Sequence, residues 1–325
     1  MKRVIIDTDP GIDDAAAIFW ALTCGTLRVE MLTTVFGNAT VDKATRNALR
    51  VLEAAGRSDI PVYRGAGRPL LREPHIGSSI HGDDGLGDVY TDEPRTRAGQ
   101  GRAVDHIIEH VMAAPGEITL LALGPLTNVA LALSVEPAMA TALQALVVMG
   151  GAVRTRGNIT PVATANLYND AEAAAIAYRS GVPIVQIGMD VCRPTLITHH
   201  HLDQIRAAGH PVAEFLTRIT PCLMAAYERN EGVTEGVHYN DVPAAAYVID
   251  PTLFRSERLP IQIETDSPLT RGQTVPDWRG RWGMEPNVEV CLEVDAARLA
   301  DMFAETVARG NVPEAQRSTA AARGW

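Results

Sequence analysis

Positive charge and cysteine are both scarce in this chain, and each scarcity excludes something. The formal net charge is −10 over 325 residues. That excess of carboxylates argues against nucleic acid or an anionic membrane as a partner, and a small molecule is the better substrate class. Lysine occurs only at Lys2 and Lys43. The four cysteines, Cys24, Cys192, Cys222 and Cys291, form no CxxC pair. They read as buried thiols in a reducing compartment, so a cytoplasmic setting is expected. No apolar stretch approaches the length of a membrane span. The chain enters a strand within three residues of its start, and no signal peptide is expected. No internal repeat, low-complexity segment or composition break marks a domain boundary. What is present is a hydrophobic fraction of 46% with mean hydropathy near zero, normal for a globular chain with a sizeable core. The length suits one large α/β domain or two smaller ones.

Strand-like and helix-like segments alternate. Apolar runs predict strands at Val4–Ile6, Val29–Val35, Ile118–Leu123, Ala145–Met149 and Pro183–Ile187. Between them, helical patterns cover Asp13–Cys24, Val41–Ala55, Arg102–Ala113, Leu126–Val135 and Ala171–Ser180. Asn169-Asp170 and Gly181 flank the last of these as cap signals. The alternation predicts an α/β fold, a mostly parallel sheet with helices on both faces. In such sheets ligands bind beyond the carboxyl ends of the strands, and the polar punctuation falls there. The Gly- and Asp-rich stretch Gly77–Tyr90 reads as a functional loop. Leu196–Gly236 reads as amphipathic helix with a polar, mobile end at Tyr227–Gly236. The segment Pro260–Glu293 reads as strand-like runs around turns. Residues 1–310 are expected to form a single domain, and 311–325, polar and Ala-rich, a flexible tail.

The first strand runs straight into four carboxylates, Asp7, Asp9, Asp13 and Asp14. Four acids within eight residues repel one another unless something positive sits among them. A hard divalent cation is the simplest candidate. Asp13 and Asp14 also fall in the first turn of a helix, where the macrodipole favours negative charge. Capping accounts for one carboxylate or two, not four.

The run Asp7-Thr8-Asp9-Pro10-Gly11-Ile12-Asp13-Asp14 resembles the calcium-binding signature of the inosine–uridine-preferring nucleoside hydrolase family. Further motifs are similar to that family: Thr33–Asn38, His81–Gly87, Leu123–Asn128, Met149-Gly150-Gly151, Gly157–Val162, and the Ala244–Ile249 segment followed by Asp250-Pro251. The resemblance spans about residue 3 to residue 310. It implies a nucleoside-hydrolase-like fold with a Rossmann-like core, and hydrolysis of an N-glycosidic bond to free base and ribose. It implies Ca²⁺ held by Asp9, Asp14, the Thr127 carbonyl and Asp241, with Asp9 as general base toward a bound water. It places Asp13, Asn38 and Asn166 on the ribose hydroxyls, Asn158 toward the 5′ hydroxyl and Met149 beneath the sugar. Relatives are commonly dimers or tetramers, so a homo-oligomer is expected.

Two positions depart from the family pattern. Where a Val-Ala-Glu-Phe-Asn run is usual, this chain has Val162-Ala163-Thr164-Ala165-Asn166. A carboxylate becomes Thr164 and an aromatic wall becomes Ala165, which suggests a substrate altered or enlarged at its 5′ end, or a bulkier nucleoside. The His that usually precedes the last calcium ligand is Asn240, which is no proton donor in the usual acid sense. His238, Tyr239, His81 and Tyr227 are the neighbours able to supply a proton to the leaving base. Plainer readings stand beside these: Met149 as core, Asp241 as a helix N-cap, Asn169 and Asp170 as turn and cap, His81 as an exposed loop residue, and His199-His200-His201 as a solvated helix start. Two other functions fit parts of the pattern. A haloacid-dehalogenase-like phosphohydrolase would use Asp7 as nucleophile with Mg²⁺, but needs a later lysine that the chain lacks. A non-catalytic nucleoside-binding relative would keep ribose and Ca²⁺ without turnover.

Overall fold

The structure, a computed structural model, describes residues 1–310, so the tail expected at 311–325 lies outside the described residues. An eight-stranded sheet forms the centre. Its strands are β1 (Lys2–Thr8), β2 (Leu27–Thr34), β3 (Val62–Arg64), β4 (Ile118–Ala122), β5 (Ala145–Met149), β6 (Ile184–Ile187), β9 (Phe254–Leu259) and β12 (Val288–Val294). Two short ribbons pair β7 (Ile197–Thr198) with β8 (Gly236–Val237), and β10 (Ile261–Ile263) with β11 (Thr274–Pro276). The order in the main sheet is β3-β2-β1-β4-β5-β6-β12-β9. Every pair is parallel except the edge pair β12–β9.

Helices cover both faces. They are α1 (Ile12–Thr23), α2 (Val41–Ala54), α3 (Ser78–His81), α4 (Ala103–Ala113), α5 (Thr127–Val135), α6 (Met139–Ala142), α7 (Ala165–Asn169), α8 (Ala171–Arg179), α9 (Met189–Cys192), α10 (His199–Ala207), α11 (Pro211–Glu231), α12 (Val242–Ile249) and α13 (Ala296–Arg309). Successive strand residues point to opposite faces, and β1 shows the consequence. Val4 and Ile6 join the core under α1, α12 and α13, while Ile5 joins the core under α4, α5 and α8. A strand covered on both sides must be apolar throughout. Helix α1 is buried along its whole length, so it too is apolar all round below its first turn. Phe19 meets Phe215 edge-on at 5.3 Å and Trp20 meets Phe303 at 5.5 Å.

The strand order reverses between β1 and β4, which creates a crevice beyond their carboxyl ends. Asp7 pairs with Thr33 on one side and Ala122 on the other, so the acid cluster emerges at that crevice.

Three expectations need correction. Leu196–Gly236 is two helices, because Gly209 adopts φ +62° and the His210 ring accepts the Ala213 N–H as a cap before Pro211 starts α11. Tyr227–Glu231 belongs to α11, which ends at Gly232 in the left-handed conformation. Strands β3 and β9 were not anticipated. Strand β9 lies at the sheet edge with Arg255, Ser256, Glu257 and Arg258 exposed, a polar edge that discourages further pairing.

Candidate active site

The loop from β1 into α1 carries the acids. Asp14 accepts from Thr8 Oγ1 (2.5 Å), the Gly11 N–H (2.9 Å) and Asn38 Nδ2 (2.9 Å). The Gly11 bond is a helix cap, so capping explains part of Asp14's position. Asp9 Oδ2 accepts the Asn38 N–H at 2.7 Å. Asp9 is boxed in by glycines: a Cβ on Gly124 would lie 2.6 Å from Asp9 Oδ1, and one on Gly37 would overlap Oδ2. Asp7 lies behind the others, accepting from Thr33 Oγ1 (2.6 Å) and Asn128 Nδ2 (2.8 Å). It ties β1, β2 and α5 together. Asp241 arrives from the start of α12, and carboxylate oxygens of Asp13, Asp14 and Asp241 lie within 4.8 Å of one another.

The electrostatics of this cluster are unfavourable as it stands. Burial lifts Asp9 well above the usual carboxylate range, and the Asp14 charge lifts it further. Asp241 is raised by burial and then by Asp14, Asp13 and Asp9. Asp14 is raised by burial and by Asp13; burial, opposed by backbone hydrogen bonds, brings Asp13 to about 6. Among the described residues, these acids meet a basic group only at His81, whose Nε2 lies 3.8 Å from Asp13 Oδ1. Burial pushes His81 down to about 4, so it is neutral and balances nothing. Its Nδ1 accepts the Ile12 N–H at 3.2 Å, which puts the ring proton on Nε2. Asp9 Oδ1 and Asp13 Oδ1 are buried without a hydrogen-bond partner. Buried unpaired carboxylates are costly. An oxygen-only, strongly acidic donor set with orphaned atoms fits a hard divalent cation. Thr127 is buried in the first turn of α5 with its hydroxyl donated to Asp170 Oδ2 at 2.6 Å.

Above the acids is a cavity whose lining includes Asp9, Asp13 and Asp241, the side chains Asn38, Met149, Asn158 and Asn166, and one face of α11. Asn166 donates Nδ2 to the Leu123 and Met149 carbonyls (2.5 and 3.1 Å). Asn158 Oδ1 accepts the Ala165 N–H at 2.8 Å, leaving its amide hydrogens available. His81 and Asn240 also line the cavity. Thr164 does not: it is buried, and its hydroxyl accepts the Gly151 N–H at 2.9 Å. Nor does Tyr239, which is core, packed on Phe303 with its hydroxyl 2.5 Å from Thr220 Oγ1. His238 is held outside by a 2.7 Å contact from Nδ1 to the Thr195 carbonyl. Asp170 makes the cap bond read for it, to the Ala173 N–H, whereas Asn169 makes no turn bond: it ends α7, lines the cavity and accepts the distant His75 N–H at 2.9 Å. His199–His201 begin α10, with Thr198 and His201 forming a capping box.

Of the α11 side chains in the site, sequence reasoning named only Tyr227. Leu223, Ala226, Tyr227 and Asn230 follow the spacing of one helix face and, with Glu231, line the cavity. That spacing was the available signal, obscured because the segment looked like a polar, mobile end.

A family model described as inosine-uridine preferring nucleoside hydrolase matches residues 4–301. The pyrimidine-specific ribonucleoside hydrolase RihA of Salmonella schwarzengrund (strain CVM19633) is 36% identical over 302 residues, covering 93% of this chain and 97% of its own. Probable uridine nucleosidase 2 of Arabidopsis thaliana is 35% identical over 315 residues, covering 93% and 96%. Among solved structures, a purine-preferring ribonucleoside hydrolase from Gardnerella vaginalis superimposes with a TM-score of 0.90 at 31% identity, covering 95% of this chain and 99% of that one. The plant nucleoside hydrolase PpNRh1 gives 0.90 at 34%, covering 94% and 99%. Fold, acid cluster and these likenesses define an N-glycosyl hydrolase. The chain belongs to the inosine–uridine-preferring nucleoside hydrolase family, and the bond it breaks joins a base to ribose. The phosphohydrolase alternative is overturned by this assignment, and Asp7, its required nucleophile, is buried in bonds to Thr33 and Asn128. The non-catalytic alternative gives way to the enzyme class.

Proposed function

We propose that the enzyme is a Ca²⁺-dependent ribonucleoside hydrolase whose attacking water is activated by Asp9. The observation that carries this reading is the pair of orphaned buried oxygens, Asp9 Oδ1 and Asp13 Oδ1, at the floor of the cavity. Asp9, Asp14, the Thr127 carbonyl and Asp241 would hold the cation, with Asp13 close beside them. Bound there, Ca²⁺ would polarise a water and fix the sugar hydroxyls. Asp9 takes the proton from water as the nucleophile forms. Asp13, Asn38 and Asn166 accept or donate to the ribose hydroxyls, Asn158 offers its amide to the 5′ end, and Met149 packs under the ring. The carboxylates also offset the positive charge that develops on the sugar as the bond to the base breaks.

The departing base takes a hydrogen from this chain's own donors. Asn240 spends an amide hydrogen on the Tyr227 hydroxyl, and Tyr239 and His238 lie outside the cavity. Tyr227 and the Nε2–H of His81 remain as the donors that line it. Relatives bear both pyrimidine-specific and purine-preferring names, so the base preference of this chain rests on its own α11 face. The four free thiols support a cytoplasmic setting, and no helix among the described residues is long and apolar enough to cross a membrane. Val135 and Ile176, exposed on α5 and α8, are apolar surface that supports a homo-oligomer.

The test is ribose release from a panel of purine and pyrimidine nucleosides and 5′-modified analogues, with and without a chelator. Chelator-sensitive release from any of them is the expected outcome. Release that ignores the chelator sinks the calcium reading, and no release from the whole panel sinks the substrate reading.

A further inference from the structure

Glu231 has no role in the chemistry described above, yet it lines the same cavity. It is the last residue of α11, and the chain turns away directly behind it at Gly232. Two arginines fix it. Arg193 Nη1 lies 2.7 Å from Glu231 Oε2, and Arg156 Nη2 lies 3.1 Å from the same oxygen. Arg193 also donates Nη2 to the Gly157 carbonyl at 2.9 Å. The Glu231 carboxylate is thereby clamped to the loop that carries Asn158. That loop is itself tight, since the Gly157 N–H donates to the Pro161 carbonyl and the Asn158 N–H to the Ala163 carbonyl. Arg193 Nε is buried with no hydrogen-bond partner, while the side chain as a whole stays partly exposed.

Both arginines meet Oε2, and Oε1 keeps its lone pairs. Asn158 spends its own oxygen on the Ala165 N–H and keeps its amide hydrogens. The wall beside Ala165 therefore presents one fixed acceptor and one fixed donor. A hydroxyl, which donates once and accepts twice, matches that pair.

We propose that Glu231 is a specificity-determining residue: its arginine-clamped carboxylate accepts the 5′ hydroxyl of the nucleoside. This rests on the nucleoside reading above. It also accounts for the departure at Thr164, since the carboxylate at this end of the cavity comes from α11 instead of from the loop before α7. Arg193 is a positioning residue that acts through Glu231.

The experiment compares kcat/KM for uridine and 5′-deoxyuridine, or inosine and its 5′-deoxy analogue, in wild type, Glu231→Ala and Glu231→Gln. Wild type should prefer the hydroxylated substrate by about tenfold or more, as for a hydrogen bond to a charged group. Glu231→Ala should bring that ratio close to one by slowing only the hydroxylated substrate. Glu231→Gln, which keeps volume and an oxygen acceptor, should give an intermediate ratio and guards against a folding failure in the alanine variant. A wild-type ratio near one, a ratio unchanged in the variants, or equal losses on both substrates, would overturn the proposal alone. No ribose release from either substrate by wild type would overturn the nucleoside reading, and this proposal with it.

Discussion

Asn240 donates its Nδ2 amide to the Tyr227 hydroxyl at 2.8 Å. The phenol oxygen is thus used as an acceptor, and its own hydrogen is free for another partner. Tyr227 lines the cavity, and burial pushes its phenol above the ordinary range. Asn240 therefore does not act as an acid but orients a residue that can donate. Tyr227→Phe removes that donor and leaves the Asn240 amide without its acceptor. We expect a loss of about a hundredfold in kcat on ordinary nucleosides. A riboside with a p-nitrophenyl leaving group needs no donated hydrogen, and the variant should hydrolyse it within a few-fold of wild type. Equal losses on both substrates would show that Tyr227 only shapes the site.

The same burial fixes a pH expectation. A raised pKa means the proton stays on Tyr227 to higher pH than on a free phenol. The donor form is therefore fully present at neutral and mildly alkaline pH. The kcat profile of wild type should show no descending limb assignable to Tyr227 below about pH 10. A descending limb near pH 9 that disappears in Tyr227→Phe would contradict the assignment.

Removal of the cation should weaken the fold as well as stop turnover. Without it, Asp9, Asp13, Asp14 and Asp241 are buried close together, each raised by burial and all but Asp13 also by neighbouring acids. A ligand bound only by the folded state stabilises by about 2.7 kcal/mol at a hundredfold excess over its Kd. Chelation should lower Tm by several degrees and abolish ribose release, and Ca²⁺ should restore both. An unchanged Tm with and without chelator counts against a cation bound in this cluster.

Asp9→Ala separates chemistry from stability. The Asp9 side chain makes one hydrogen bond, from the Asn38 N–H, and leaves Oδ1 orphaned. Deleting it removes the base proposed above but also a buried repulsive charge. Turnover should fall by at least about a thousandfold, while the Tm of the metal-free protein stays the same or rises. Retained turnover would remove Asp9 from the role of base.

The order of elements and the parallel sheet were legible in the sequence because β1, β4, β5 and β6 are buried on both faces and so carry runs of apolar residues. The acid cluster was legible for the opposite reason: four carboxylates in eight residues are more than helix capping accounts for. Edge strands β3 and β9 were not, since a strand with one face and one edge in water carries no apolar run. The separation of Tyr227 from Tyr239 was equally hidden. Both are aromatic and near Asn240 in the fold, but only the register of α11 against the cavity, and the pairing of Tyr239 with Thr220, decides which one faces substrate. Thr164 was placed by its motif position, and its bond to the Gly151 N–H turns it away.

Gly124 offers the sharpest test of how the acid cluster is built. It follows β4 at the strand-order reversal, and its motif, Gly124–Asn128, leads into α5. A methyl group there would lie 2.6 Å from Asp9 Oδ1 and 2.8 Å from Val35 Cγ1. Neither neighbour moves cheaply: Val35 is fully buried and Asp9 is fixed by the Asn38 N–H. Gly124→Ala should therefore displace the Asp9 carboxylate, at an overpacking cost of about 1–3 kcal/mol. A displacement of about 1 Å is enough to cost roughly a hundredfold in kcat. The loss should be selective. KM should change less than kcat, because Asn158 is held by the Ala165 N–H, away from this peptide, and substrate binding should survive in the variant. If Gly124→Ala keeps wild-type kcat, Asp9 is not held where the close approach of these backbones puts it, and the geometry assigned to the attacking water falls with it.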